Sequence, residues 1–243
     1  MIATALLATA CGDDSDPPQG GSDGVIITPL GTPAETVAPT EPSGGATNGA
    51  APVPTSEPVD TTLSGFIFPI EGGCLPSGDQ LMPNAPRDYR NGTHEGVDFY
   101  NVDNCTFIDV DTPVIAAKDG VVTRADHDYV NLTAEEYAEV AENLTSAESL
   151  DVFRGRQVWI DHGNGIVTRY CHLNGIAAGV TPGTTVSAGD LVAYVGESGT
   201  PESINNPGSQ YHLHFELRVG DSYLGAGLPP QEVRALYQEL FGQ

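Results

Sequence analysis

Of the six histidines in this 243-residue chain, five fall in three short motifs. The stretch Tyr211-His212-Leu213-His214-Phe215-Glu216 alternates polar and apolar residues, as a β-strand does. Successive strand side chains point to opposite faces, so His212 and His214 share one face while Leu213 and Phe215 share the other. Thr93-His94-Glu95-Gly96-Val97-Asp98-Phe99-Tyr100 offers a second pair. His94 and Asp98 stand at an even separation in a stretch whose Val, Phe and Tyr favour extended backbone, which turns both to one face. Imidazole and carboxylate are each good Zn²⁺ ligands. Two donors from one motif and one from the other make three, the number a catalytic zinc site uses while leaving a position for water. A structural site would more often use four ligands, commonly thiolates, and the chain has no Cys-x-x-Cys pair. The competing reading is an exposed strand carrying two solvated histidines.

The third motif runs from Ile160 to Leu173. Gly163-Asn164-Gly165 is a hairpin turn of the kind that positive φ favours, and it joins two strands. His162 precedes the turn and is expected to order it, whereas His172 closes the second strand. Alternation places Tyr170 on the His172 face, as a polarising or a packing residue. Glu216 lies on the histidine face of its own strand, either supporting a histidine or at the surface. Arg87 and Arg90 are expected to pair with acidic neighbours, and His127 sits in a polar Asp126-His127-Asp128 turn.

Positioning these groups requires a sheet. Short strand signals flanked by Gly, Asp, Asn or Pro recur at Phe66–Ile70, Gly96–Tyr100, Pro113–Ala117, Gly120–Arg124, Gln157–Asp161, Gly165–Cys171, Leu191–Val195 and His212–Val219. They define an all-β class, mainly an antiparallel sheet sandwich. One helix is expected to interrupt it, from Thr133 to Leu150. It opens on the capping box Thr133-Ala134-Glu135-Glu136 and continues with Tyr137, Val140, Ala141 and Leu144 at helical spacing. A second, Pro229–Phe241, places Val233, Leu236, Tyr237 and Leu240 on one face.

The rest of the chain reads differently. Residues 12–62 are rich in Gly, Pro, Ser and Thr and too poor in apolar residues to offset the entropy of ordering, so they are expected to be a disordered linker. Residues 1–11 end an apolar run of small residues on Cys11. This resembles a bacterial lipoprotein signal, in which Cys11 is lipidated and becomes the mature N-terminus; an ordinary cleaved signal is the alternative. Both export the domain, and in an oxidising compartment Cys74 and Cys105 could form a disulfide, with Cys171 a buried free thiol. With nine basic residues against thirty-three acidic ones, the net charge of −24 leaves no basic footprint for nucleic acid.

Taken in order, the three histidine motifs resemble the lysostaphin-like, or LytM-type, zinc metallopeptidases, a family of cell-wall endopeptidases. Thr112–Val122 and Val186–Gly196 fit the same family, and the match runs from about Phe66 to Arg218. The resemblance implies that residues 63–243 form a zinc metallopeptidase domain with one Zn²⁺ beneath a groove, hydrolysing peptide cross-links of peptidoglycan. It implies zinc ligands at His94, Asp98 and His214, and two catalytic, non-ligand histidines at His172 and His212. The chain departs from the family in the 126–156 insert, where a short turn is usual, and this leaves the bond cleaved open. Two other classes compete with this one. A catalytically silent, cell-wall-binding regulator of murein amidases would typically lack ligands that this chain retains. A lipoyl-type carrier, suggested by the glycine rhythm of Thr184–Gly196, needs a modifiable lysine, and the only lysine, Lys118, lies elsewhere.

Overall fold

Alternation in the strand His212–Val219 buries Leu213, Phe215 and Leu217 completely, and everything else is arranged about that strand. The computed structural model describes residues 63–90, 92–142 and 146–243; Cys11, the apolar run before it and the 12–62 tether lie outside the described residues. In chain order the strands are β1 (Pro86–Arg87), β2 (Gly92–Thr93), β3 (Val97–Tyr100), β4 (Pro113–Ile115), β5 (Gly120–Ala125), β6 (Val158–Asp161), β7 (Ile166–Cys171), β8 (Gly175–Ile176), β9 (Thr185–Val186), β10 (Leu191–Tyr194), β11 (His212–Val219) and β12 (Ser222–Tyr223). The helices are α1 (Ala134–Ala141), α2 (Ala147–Phe153), α3 (Glu202–Asn205) and α4 (Pro230–Leu240).

All strand pairs are antiparallel. The large sheet follows the path β12-β11-β7-β6-β5-β9, a smaller one the path β4-β10-β8, and β1 pairs with β2. β3 pairs with the first half of β11, opposing His212 to Tyr100, His214 to Asp98 and Phe215 to Val97. On its other side β11 pairs with β7, which opposes His214 to Cys171 and Phe215 to Tyr170. The inner face of this three-strand unit is therefore apolar. Val97, Phe99, Leu213, Phe215 and Tyr170 join Val114, Val192 and Ala193 of the smaller sheet in one core, against which α4 packs Val233, Tyr237 and Leu240. Each of the valine, leucine and phenylalanine side chains among them contributes about 1.5–3 kcal/mol on burial. Histidines and carboxylates are left to the outer face.

The antiparallel β class holds, with two differences of detail. Phe66–Ile70 does not complete a strand. It runs beside β4 with Ile67 N donating to Ala117 O and Ile115 N donating to Pro69 O, and Pro69 has no N–H to extend the ladder. The expected helix over 133–150 is two helices. Thr133 caps the first with a full capping box, but the Ser146 hydroxyl accepts from Ser149 N and starts the second. A serine able to cap competes with helix continuation at that point. The C-terminal helix falls where its spacing places it, started by Pro230 at its first turn.

Cys74 and Cys105 are bonded, and Cys171 is a free buried thiol. The bridge closes a separation of 31 residues, which by chain entropy is worth about 3–4 kcal/mol. Replacing both cysteines by serine is expected to lower the unfolding free energy by about that amount in urea titrations. An unchanged midpoint would show that the loop is held by other contacts.

Candidate active site

Three ligand atoms converge on the outer face of β11. His94 Nε2 lies 3.0 Å from Asp98 Oδ1 and 3.0 Å from His214 Nδ1, and His214 Nδ1 lies 2.8 Å from Asp98 Oδ1. Asp98 and His214 meet because the β3–β11 register opposes them. His94 comes from the turn before β3, where its backbone N–H donates to Ala85 O and its carbonyl accepts from Asn84 N. Gly96 lets that turn reach the strand: a Cβ there would stand 2.4 Å from Phe215 O and 2.9 Å from His214 Cε1.

The tautomers follow from the partners. His94 Nδ1 faces the Met82 carbonyl at 3.0 Å and must donate, leaving a lone pair on Nε2. His214 Nε2 faces the Glu216 carboxylate at 3.1 Å and must donate, leaving Nδ1 as the ligand atom. Burial alone would raise the Asp98 pKa, but the adjoining His94 and His214 outweigh it and hold the carboxyl well below its usual range. Burial likewise opposes a charged His214, yet the flanking Asp98 and Glu216 raise its pKa. Two lone pairs and a carboxylate thus lie 2.8–3.0 Å apart with positive charge favoured between them. Tetrahedral zinc with bonds of about 2.0–2.1 Å spaces its ligands by about 3.3 Å, so the set fits that ion with a few tenths of an ångström of relaxation.

Glu216 supports His214; it is fully buried, not a surface carboxylate. Beyond His214 it meets Arg154 Nε at 2.5 Å, Arg218 Nη1 at 3.3 Å and Arg169 Nη1 at 3.4 Å. Arg154 and Arg218 also share Glu95 Oε2, each at 2.7 Å. Burial raises the Glu216 pKa, but His214 and the arginines prevail and hold it far below the usual carboxylate range. Arg154 closes α2, so the insert itself reaches the carboxylate that His214 bonds. No sequence motif marks Arg154 or Glu95 for this role, since charge pairs so distant in the chain leave no periodic signal.

His212 and His172 flank the triad, their rings 4.7 Å apart by centroid. His212 stacks on Tyr100, its cross-strand partner, at 4.2 Å, and its Nδ1 donates to Gln210 O at 2.6 Å. His172 reaches this face by a different route. Alternation alone would send it, with Tyr170, into the core. Its backbone instead turns left-handed, at φ 61°, and brings the imidazole to within 5.6 Å of the His214 ring centroid. Tyr170 stays inside, its hydroxyl accepting from Ala117 N and Thr168 Oγ1, so it is a packing residue. The strap Arg154-Gly155-Arg156 fixes His172. Arg154 O accepts from His172 N, Arg156 N donates to Ser198 Oγ, and Ser198 O accepts from His172 Nδ1 at 2.9 Å. Gly155, at φ 64°, lies against Ser198, where a Cβ would come within 2.1 Å of a carbonyl oxygen. Burial lowers the pKa of both histidines, that of His172 more strongly because His212 and His214 add to the effect.

A groove of about 730 Å³ opens over the five side chains. Tyr137 and Ala141 of α1 with Leu150 and Phe153 of α2 line one side, so the insert does flank the groove. His162 lies elsewhere, donating from Nδ1 to Asp119 O at 2.7 Å and meeting Thr168 Oγ1 at 2.8 Å, and it orders the hairpin as expected. Arg87 pairs not with a sequence neighbour but with Asp98 Oδ2, at 3.2 Å. Cys171 shares the outer face, but burial pushes its thiol well up.

An antiparallel β domain presenting a His-Asp-His ligand set beneath an open groove has the architecture of a metallopeptidase. Residues 92–225 match Peptidase family M23, and the chain belongs to that family. Among solved structures it is similar to a zinc-containing peptidase from Vibrio cholerae, at 21% identity and a TM-score of 0.43 over 68% of this chain and 41% of that one. The chain thus spans about two fifths of that relative's length. It is also similar to the catalytic domain of lysostaphin from Staphylococcus simulans (21% identity, TM-score 0.39, 61% of this chain and 85% of that one). A third is the catalytic domain of a prophage-encoded M23 protein from Enterococcus faecalis (20% identity, TM-score 0.36, 65% and 95%). No curated protein sequence matches the chain.

Because Glu216 orients His214 and balances three arginines, Glu216→Gln is expected to weaken zinc binding by about 10–100-fold. It is also expected to destabilise the fold by about 3 kcal/mol. Competition with a chromophoric chelator reads the first and urea unfolding the second. Wild-type zinc affinity in the variant would remove Glu216 from the site.

Proposed function

We propose that the chain is a zinc-dependent metalloendopeptidase that hydrolyses peptide cross-links of bacterial peptidoglycan. The observation that carries this reading is the convergence of His94 Nε2, Asp98 Oδ1 and His214 Nδ1 to within 3.0 Å, beside two further imidazoles in one groove. His94, Asp98 and His214 would hold the zinc, which would supply an activated water and a Lewis acid for the scissile carbonyl. The chain's own groups do the rest. His172 and His212 each donate an Nδ1–H hydrogen bond to a backbone carbonyl, which leaves an Nε2 lone pair to take a proton from the attacking water. Their lowered pKa values keep both neutral, and so able to accept, near pH 7. Once protonated, either can donate to the oxyanion or to the leaving amine, and the two act as a pair. Retention of both, with all three ligands, favours an enzyme over a silent regulator of murein amidases.

The insert's side of the groove limits what can lie there, which makes it a determinant of the bond cleaved. Lipidation of Cys11 would hold the domain at the outer face of the membrane on a tether of about fifty residues, with a reach of about 40 Å. The Cys74–Cys105 disulfide supports export.

His214→Ala is expected to abolish both zinc binding and hydrolysis. His172→Asn keeps a residue type that tolerates left-handed backbone and is expected to retain one zinc per domain while losing hydrolysis by about 10²–10⁴-fold. Zinc content and turnover of purified peptidoglycan separate the two, and mass spectrometry of the released muropeptides identifies the bond. A metal-free wild-type protein at neutral pH would defeat the reading.

A further inference from the structure

The chain has nine basic residues, and most are spent on structure. Arg87, Arg124, Arg154, Arg169, Arg218 and Arg234 each pair with a carboxylate. Three arginines line the groove: Arg87, Arg90 and Arg154. Among the described residues Arg90 alone of these makes no ion pair. It follows Tyr89, whose ring is 62% exposed, in the short 3-10 turn Asp88–Arg90. Its one hydrogen bond among the described residues runs from Nη2 to Thr93 O, at 2.5 Å. Its Nε is buried and has no acceptor among them. Buried, that N–H is closed to a ligand, but Nη1 makes no hydrogen bond among the described residues and is not buried, and a carboxylate is the planar acceptor that best fits a guanidinium.

The charge of the whole chain sharpens the point. The chain carries a net charge of −24, which repels anions, so an anionic substrate needs a cation placed inside the groove. Four carboxylates line the groove, and none fills this role for Arg90: Asp98 belongs to Arg87, Glu95 to Arg154 and Arg218, Glu216 to the arginine cluster, and Glu202 makes no ion pair among the described residues.

We propose that Arg90 forms a carboxylate-binding subsite, so that the cross-link taken by the groove carries a free carboxylate and is not an uncharged oligoglycine bridge. The inference rests on the peptidase reading and names its substrate class. An amidated or uncharged peptide lacks the acceptor for Arg90 and binds more weakly.

The test uses two synthetic cross-link peptides identical but for a free carboxylate or a carboxamide at that position. Wild-type protein is expected to prefer the acid by about tenfold in kcat/KM, the size of one charge-assisted pair. Arg90→Gln is expected to bring the acid-to-amide ratio near one, chiefly through a higher KM for the acid. Arg90→Lys keeps the charge and is expected to restore part of the preference. The same ratio is measured as peptide affinity by calorimetry with all three proteins, which decides the matter even if neither peptide is cleaved. Failure of cleavage with intact acid-selective binding would count against the hydrolytic reading and not against Arg90. A wild-type ratio near one, or an equal loss on both peptides in Arg90→Gln, would overturn the subsite.

Discussion

The site depends on one strand register. Pairing β3 with β11 so that Asp98 opposes His214 places a carboxylate and an imidazole from distant parts of the chain on the same side of the sheet. A slip of one residue would carry His214, His212 and Glu216 into the core and Phe215 into the groove. The burial of Leu213, Phe215 and Leu217 therefore does more than stabilise the sheet, because it decides which atoms face one another outside. Ligand geometry is a by-product of core packing here.

Behind the ligands lies a layer of buried charge. Glu216 has no exposure to water and is balanced by three arginines and His214. Taking so many charges out of water costs several kcal/mol per ion, and their mutual attraction only roughly offsets it. Such a cluster is a poor means of gaining stability, but a good means of holding one imidazole in one tautomer and one orientation. The Tyr100 stack does the same for His212 by a cheaper route, using a neighbour already supplied by the register.

Much of this was legible in the residues. Alternation in His212–Val219, and the even separation of His94 and Asp98, were enough to set three donors on one face. The Gly163-Asn164-Gly165 turn was equally plain, and its three residues all take positive φ. His172 was not legible by periodicity. A single left-handed residue ends the strand and turns the ring outward, and only the likeness of its motif to a known family placed it in the site. Arg154 carried no signal at all, because a buried ion pair across 62 residues leaves no trace in local composition. Elsewhere the signal was local: Pro69 marks where the strand signal of Phe66–Ile70 stops, and Ser146, which starts α2, lies within helical spacing that runs through it.

Loop lengths in compact domains ordinarily drift with little penalty. The insert between β5 and β6 has lost that freedom. Its last residues supply the guanidinium that neutralises Glu216 and the carbonyl that receives the His172 amide. Cut back to a tight turn, the chain would keep His94, Asp98, His214, His172 and His212 yet leave Glu216 without its shortest ion pair. A segment at the rim of the groove is thus tied by charge and by backbone to the face beneath it.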